Sequence, residues 1–170
     1  MIYCKSLLVI LLLSLSTLVI AEPTVSLTLD KNRVNVGATV TGHLSLLDFP
    51  TTQGGGIKLR FNADVLEVTD IVFDSAWSFA AQTGNIDNDK GVIKDIIFAA
   101  FPGWGGDVAV ATITFKAVRK GKSRIRLKKS ALNPFASEGS AIDVSFKKTK
   151  IIVGGKKKKN TRNHSLFSEK

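Results

Sequence analysis

The chain has 170 residues, with 24 basic and 14 acidic side chains and a formal net charge of +10. This length allows one domain whose core buries roughly 70% of the surface that the unfolded chain exposes. With one cysteine and two histidines, the chain lacks the ligands for a structural zinc site and the cysteine pairs of a disulfide-stapled domain.

The first 21 residues predict a secretory signal peptide that is cleaved after Ala21. Lys5 gives a positive start, and residues 7–20 form an apolar run interrupted only by small hydroxyl residues. The run has 14 residues, fewer than the ~20 needed to cross a membrane; an uncleaved membrane anchor is the alternative. Cleavage would remove Cys4, and the mature chain would be secreted, periplasmic or held at the cell surface.

Residues 154–170 predict a basic, disordered tail. They hold six basic and one acidic side chain, including four consecutive lysines at 156–159, and have no apolar periodicity. The tail could attach the protein to an anionic polymer or to lipid headgroups. It could also be no more than a solubilising end.

Between these ends, apolar and polar residues alternate with a period of two, which is the pattern of strands with one buried face. The apolar run at 92–101 is almost uninterrupted and indicates a central strand covered on both faces. Residues 51–55, 102–106 and 133–140 predict loops, and residues 62–64 predict a tight turn. The predicted strands are 25–29, 40–46, 57–61, 66–73, 74–82, 92–101, 109–117, 125–128 and 142–153, of which 74–82 is ambiguous.

About nine short strands at regular spacing, without a convincing helix, are expected to enclose a core between two packed antiparallel sheets. We therefore predict an all-β sandwich that occupies residues 22–153, between the signal peptide and the tail.

Two of these segments resemble strands of the cohesin domain. One is GIKLRFNADVLEVTDIVF at 56–73, and the other is ATITFKA at 111–117. The resemblance covers about residues 24–153 and implies a nine-stranded jelly roll whose first and last strands lie close together. It also implies a monomeric, non-catalytic, cofactor-free module that holds a protein, dockerin-like or other, in an extracellular polysaccharide-degrading or surface assembly.

In cohesins one flat sheet face binds the dockerin. Where the family has Asn or Asp contacts, this chain has glycines at 54–56, and where a Glu contact is common it has alanines at 99–100. The scaffold thus matches better than the recognition residues do. The remaining polar candidates on the same two strands are Lys58, Arg60, Lys94 and Asp95.

The exposed-looking loop around Trp104 suggests an alternative function, carbohydrate binding. A tryptophan ring can stack on the apolar face of a sugar, and Trp77 and Phe79 could extend such a platform. The three aromatic rings could instead cap the ends of the sandwich core. A pilus or surface-assembly subunit is a third interpretation.

Little in the sequence predicts catalysis or a metal. His43 is the one credible base for a Ser-His-Asp arrangement. Residues 85–91 resemble the front half of a calcium loop, with Asp87 and Asp89 as candidate ligands. However, Gly91 is one place late and Ile96 stands where a glutamate would close the site, so a simple turn explains the same residues.

Basic residues also recur along one predicted strand. Arg124, Arg126 and Lys128 share a face, and Lys147 and Lys150 could lie near them. This basic ribbon would suit an acidic partner or an anionic polysaccharide, but not nucleic acid, because exposed aromatic residues are not interleaved with it. A solvated strand face with lysines guarding a sheet edge is the structural alternative.

Overall fold

The computed structural model describes residues 21–154. The predicted signal peptide up to residue 20 and the tail from residue 155 lie outside this range. Among residues 21–154, no helix is long and apolar enough to cross a membrane. β-strands are the only regular secondary structure of the described residues, so the predicted all-β class is confirmed. The strands are β1 (Thr24–Leu29), β2 (Arg33–Val34), β3 (Thr39–Arg60), β4 (Leu66–Phe73), β5 (Ala80–Gln82), β6 (Asn85–Asp87), β7 (Val92–Ala117), β8 (Gly121–Lys129), β9 (Ala136–Ser137), β10 (Ser140–Ala141), β11 (Ser145–Phe146) and β12 (Thr149–Val153).

Two long strands, β3 and β7, run through both layers of a β-sandwich and pair with each other throughout. In the first layer, their paired halves are flanked by β1 and β11 on one side and by β4 on the other. In the second layer, the remaining halves are flanked by β8, β12 and β2, and by β5 and β6. The inward side chains of both layers form one apolar core.

The strands β3 and β7 bend from one layer to the other at two glycine-rich segments. Residues 51–55 and 102–106 lie inside these strands, so the prediction of loops was wrong. The register of β3 against β7 shifts three times between Leu46 and Gly54, as expected where β-bulges bend a strand. Glycine and proline interrupt the sequence pattern of a strand, but bulges tolerate them.

The turn at 62–64 is confirmed, although it does not close a hairpin. The Asn62 side-chain oxygen accepts a hydrogen bond from the Asp64 N–H at 3.0 Å. Before the turn, β3 pairs with β8 in the second layer, and after it β4 pairs with β7 in the first layer. The turn therefore carries the chain from one layer to the other.

The predicted strand at 142–153 is divided between the layers. Strand β11 pairs in parallel with β1, and β12 pairs antiparallel with β8. The chain changes layers between them, at residues 147–148. The first strand, β1, therefore lies beside β11, the first part of the predicted last strand, as the resemblance implied.

Aromatic rings fill the core near the bend. The Trp77 ring is 4.7 Å from that of Phe98, which is 6.1 Å from Phe135, and Phe135 is 5.5 Å from Phe49. These are the separations at which tilted ring pairs attract. Phe79 is exposed, and only residues 80–82 of the ambiguous segment 74–82 form a strand.

The first half of β7 is central, since β3 lies on one side and β5 and β6 lie on the other. Ile96 and Phe98 are buried in the core, whereas Ile97 and Ala99 are only half-buried on the opposite face. The run at 92–101 is thus a central strand with one covered face, not the two that were predicted.

Glycines at 54–56 allow the segment after β8 to cross β3 at close range. The Ser130 N–H donates a hydrogen bond to the Gly56 carbonyl at 2.9 Å. A Cβ atom at Gly56 would lie 2.1 Å from the Leu132 carbonyl oxygen, and one at Gly55 would lie 2.2 Å from the Phe135 ring. A side chain at either position would displace this segment.

We expect Gly56→Ala to lower the free energy of unfolding by about 1–3 kcal/mol, because its Cβ must push backbone atoms apart. Gly105→Ala is the matched control, since its Cβ would meet nothing nearer than 3.1 Å. Chemical denaturation of both variants tests this. Equal stability losses would show that the close crossing does not require glycine.

Candidate partner-binding site

The outward side of the second layer is an open and strongly basic surface. On β8, buried Ile125 and Leu127 alternate with exposed cations, as the sequence predicted, and the strand pairings place the cations of β3 and β12 beside them. We call this surface the basic face. Its members are Lys58 and Arg60 from β3, Lys94 from β7, Arg124, Arg126 and Lys128 from β8, and Lys148 and Lys150 at or next to β12.

Three of the four predicted partner-binding residues, Lys58, Arg60 and Lys94, lie together on the paired strands β3 and β7. Among the described residues, no carboxylate forms an ion pair with any of the three. Ile97 and Ala99, half-buried on β7, add a small apolar area to this part of the basic face. The arrangement leaves cationic groups available around an apolar contact.

Asp95, the fourth predicted residue, is engaged within the fold. It sits in the bulge of β7 with a φ of 58°, a conformation that aspartate tolerates better than most residues. Its carboxylate accepts a hydrogen bond from the Ser130 hydroxyl, and the Ser130 oxygen accepts one from the Leu132 N–H at 3.1 Å. Asp95 therefore fixes the segment that follows β8.

Exposed aromatic residues cluster where β5 and the bend of β7 meet. Phe79 is 78% exposed and Phe101 is 81% exposed, and both border a groove of about 710 Å³. Trp104 is 47% exposed, and its indole N–H donates a hydrogen bond to the Ala76 carbonyl at 2.8 Å. Sequence reasoning did not single out Phe101 as a surface residue, because it ends the apolar run at 92–101, which was predicted to be covered on both faces.

Trp77 does not belong to this aromatic surface. Its side chain is 1% exposed, and its indole N–H donates to the Ala109 carbonyl at 2.8 Å. The proposed contact of Trp77 with a sugar was therefore wrong, because the ring lies in the core. Its alternative, a cap on the core, describes what the structure shows.

The acidic turn after β6 holds itself together with its own side chains. The Asp87 carboxylate accepts hydrogen bonds from the Lys90 ammonium at 2.8 Å and the Lys90 N–H at 3.0 Å. These bonds lower the pKa of Asp87 and raise the pKa of Lys90. Asp89 is exposed, and among residues 21–154 no cluster of three or more His, Cys, Asp or Glu could hold a metal ion. The turn's own hydrogen bonds therefore hold Asp87 in place.

Asn88, in the same turn, links the two layers. Its side-chain oxygen accepts a hydrogen bond from the Val68 N–H at 2.8 Å, and its amide donates to the Val68 carbonyl at 3.0 Å. Val68 belongs to β4 in the first layer, whereas the turn precedes β7 in the second layer. Sequence reasoning did not find this link.

His43 is exposed on β3, between Thr28 of β1 and Thr112 of β7. Within the described part of the chain, no hydroxyl or carboxylate side chain forms a hydrogen bond with its ring. The Ser-His-Asp arrangement that His43 would need is therefore not assembled by the described residues.

No protein-family model matches the chain, and no curated protein matches it. Solved structures do match. A non-cellulosomal cohesin from the archaeon Archaeoglobus fulgidus superimposes with a TM-score of 0.63 at 14% identity, over 79% of this chain and 93% of that one. The third cohesin of ScaC from Acetivibrio cellulolyticus, solved with the ScaB dockerin, gives 0.65 at 21% identity, over 77% and 98%.

The fold is cohesin-like. The OlpC cohesin of Clostridium thermocellum, solved in a type I cohesin–dockerin complex, also matches, with a TM-score of 0.62 and 17% identity over 78% of this chain and 93% of that chain. At these identities the matches show the shared sandwich and nothing about its partner.

The positions at which the resemblance implied contacts are closed in this cohesin-like fold. The glycines at 54–56 are buried; Gly54 lies against the backbone of β7, and Gly55 and Gly56 lie against the segment after β8. Ala100 is buried and Ala99 is half-buried. Lys58, Arg60 and Lys94 are the predicted partner-binding residues that stay on the surface beside these positions.

We expect Asn88→Ala to lower the free energy of unfolding by about 1–3 kcal/mol, because both backbone groups of Val68 lose their side-chain partner. Asp89→Ala is the control in the same turn, since Asp89 is exposed. Thermal and urea unfolding of the two variants provide the comparison. If Asn88→Ala is as stable as the control, the link between the layers contributes nothing to the free energy of unfolding.

Proposed function

We propose that this chain is a non-catalytic, cohesin-like module that attaches a protein partner through the part of the basic face on β3 and β7. The observation that carries the proposal is the open sheet face itself, on which Lys58, Arg60 and Lys94 stand beside Ile97. Two of the similar cohesins were solved with dockerins, which supports a protein as the partner.

The chemistry of this face indicates the surface that a partner must present. Protein interfaces usually combine a small apolar centre with a polar rim. Here Ile97 and Ala99 supply the apolar part and Lys58, Arg60 and Lys94 supply a positive rim. A complementary partner carries carboxylates around an apolar contact, which also speeds association.

The partner need not be a dockerin of the known types. The glycines at 54–56 are covered, so a dockerin that depends on side chains at those positions would lose its contacts. We further propose that the module works as a monomer outside the cytoplasm, in a polysaccharide-degrading or surface assembly. The apolar segment at 7–20, followed by Ala21, supports export.

We expect the immobilised protein to retain a specific protein from the culture supernatant of its own organism. After identification by mass spectrometry, the purified partner should bind the double variant Lys58→Gln/Arg60→Gln about tenfold more weakly in calorimetry, because two charged contacts are lost.

The control for this experiment is Lys116→Gln/Arg119→Gln, which removes the same charge elsewhere. Arg119 pairs with Asp64 on the exposed surface, where such pairs contribute little to stability. Retention of no protein, or equal binding by both double variants, would contradict the proposal.

A second candidate function, carbohydrate binding, is favoured by the exposed rings of Phe79, Phe101 and Trp104. Flat apolar rings beside a groove are the arrangement on which sugar rings stack. The groove next to Phe79 and Phe101 has about 710 Å³, a size typical of small-ligand sites. Lys58 and Arg60 do not line this groove, although Ala99 of the proposed protein-binding surface does.

If sugars bind there, soluble glucan or xylan should change the tryptophan fluorescence, and Trp104→Ala should remove the change. Trp77 is buried and supplies a constant background. Phe79→Ala/Phe101→Ala should weaken binding while leaving the Trp104 emission in place. An unchanged spectrum at saturating polysaccharide would dismiss this candidate.

A further inference from the structure

The basic face contains a cleft at the place where β12 separates from β8. The two strands pair from Val153–Gly121 as far as Thr149–Ile125, and beyond this point β8 pairs with β3 instead. The separation leaves a cleft of about 560 Å³. Its charged lining consists of Arg124, Arg126, Lys148 and Lys150.

The strand register places like charges directly opposite one another. Lys58 lies across from Lys128 and Arg60 lies across from Arg126. Across the other edge of β8, Arg124 lies opposite Lys150. Like charges at directly opposed positions destabilise a sheet, whereas opposite charges stabilise it.

No described carboxylate compensates for this repulsion, because the ion pairs of the described residues involve other cations. Protection of an exposed sheet edge does not explain the pattern either. Edge strands carry lysine to prevent aggregation, but the three opposed pairs lie where β8 is paired, at Arg126 and Lys128 with β3 and at Arg124 with β12. The three repulsive pairs therefore oppose the stability of the fold.

We propose that the cleft binds a linear anionic polysaccharide that carries carboxylate or sulfate groups. Cations two residues apart on one strand are roughly 6.8 Å apart, and neighbouring strands are about 4.8 Å apart, so a chain with regularly repeated charges meets several of them at once. Arg124 and Arg126 can each hold an anionic group with two parallel hydrogen bonds. The bound anions relieve the repulsion between the opposed cations.

Other polyanions fit this part of the face less well. Neither β8 nor β12 contributes to the exposed large apolar residues of the described chain, and charged groups are depleted from the centres of protein interfaces. Single-stranded nucleic acid requires aromatic rings on which bases stack, and the lining of the cleft has none. The cleft is lined by β8 and β12, whereas the proposed protein-binding residues lie on β3 and β7, where Arg60 adjoins the cleft opposite Arg126.

Isothermal titration with polygalacturonate and with heparin tests the proposal, and uncharged dextran serves as the ligand control. We expect binding of at least one of the two polyanions at low salt and weaker binding at about 0.15 M salt, where exposed charges are screened within ~8 Å. The variant Arg124→Gln/Lys150→Gln should bind about tenfold more weakly. Its melting temperature should equal or exceed that of the parent, because one repulsive pair is removed.

The matched control is again Lys116→Gln/Arg119→Gln, which should bind like the parent. Every sample keeps the lysines at 156–159, so their contribution is common to all. Absence of binding to both polyanions, or equal weakening by the two double variants, would overturn the proposal. Tighter binding of single-stranded DNA or of phosphatidylserine vesicles than of either polysaccharide would also overturn it.

Discussion

The pairing of β3 with β7 is the constraint on which the rest of the structure depends. The two strands remain hydrogen-bonded from one layer into the other, so neither layer can form without placing part of the other. They also have to bend together, and the register shifts between Leu46 and Gly54 meet that requirement. Cys4 is the one cysteine of the chain, so no disulfide shares this task.

The bend determines where aromatic residues are buried and where they are exposed. On the inner side, Trp77, Phe98 and Phe135 meet in the core, and Phe135 needs the space that Gly55 leaves. On the outer side, Phe101 and Trp104 stand away from the core because the strand turns beneath them. Burial in this region therefore follows the local curvature more than residue type.

The sequence was sufficient for those features that depend on alternation along one strand. The buried Ile125 and Leu127 of β8, the turn at Asn62 and the all-β class follow from period-two patterns and turn chemistry. The features that depend on two strands at once were not predictable. The pairing of residues 51–55 with 102–106 and the link from Asn88 to Val68 require the register, which a sequence pattern does not specify.

The cohesin-like fold presents a different surface at the positions where the resemblance implied contacts, and the reason is physical. The segment after β8, anchored by Phe135 and by the hydrogen bond from Ser130 to Asp95, lies against Gly55 and Gly56, two of the positions at which the resemblance implied contact side chains. The rest of the outward face of this layer stays flat and open, but its charged residues are cations that lie opposite other cations. Because the apolar core supports the sandwich without them, the fold tolerates this row of cations even though like charges lie opposite one another.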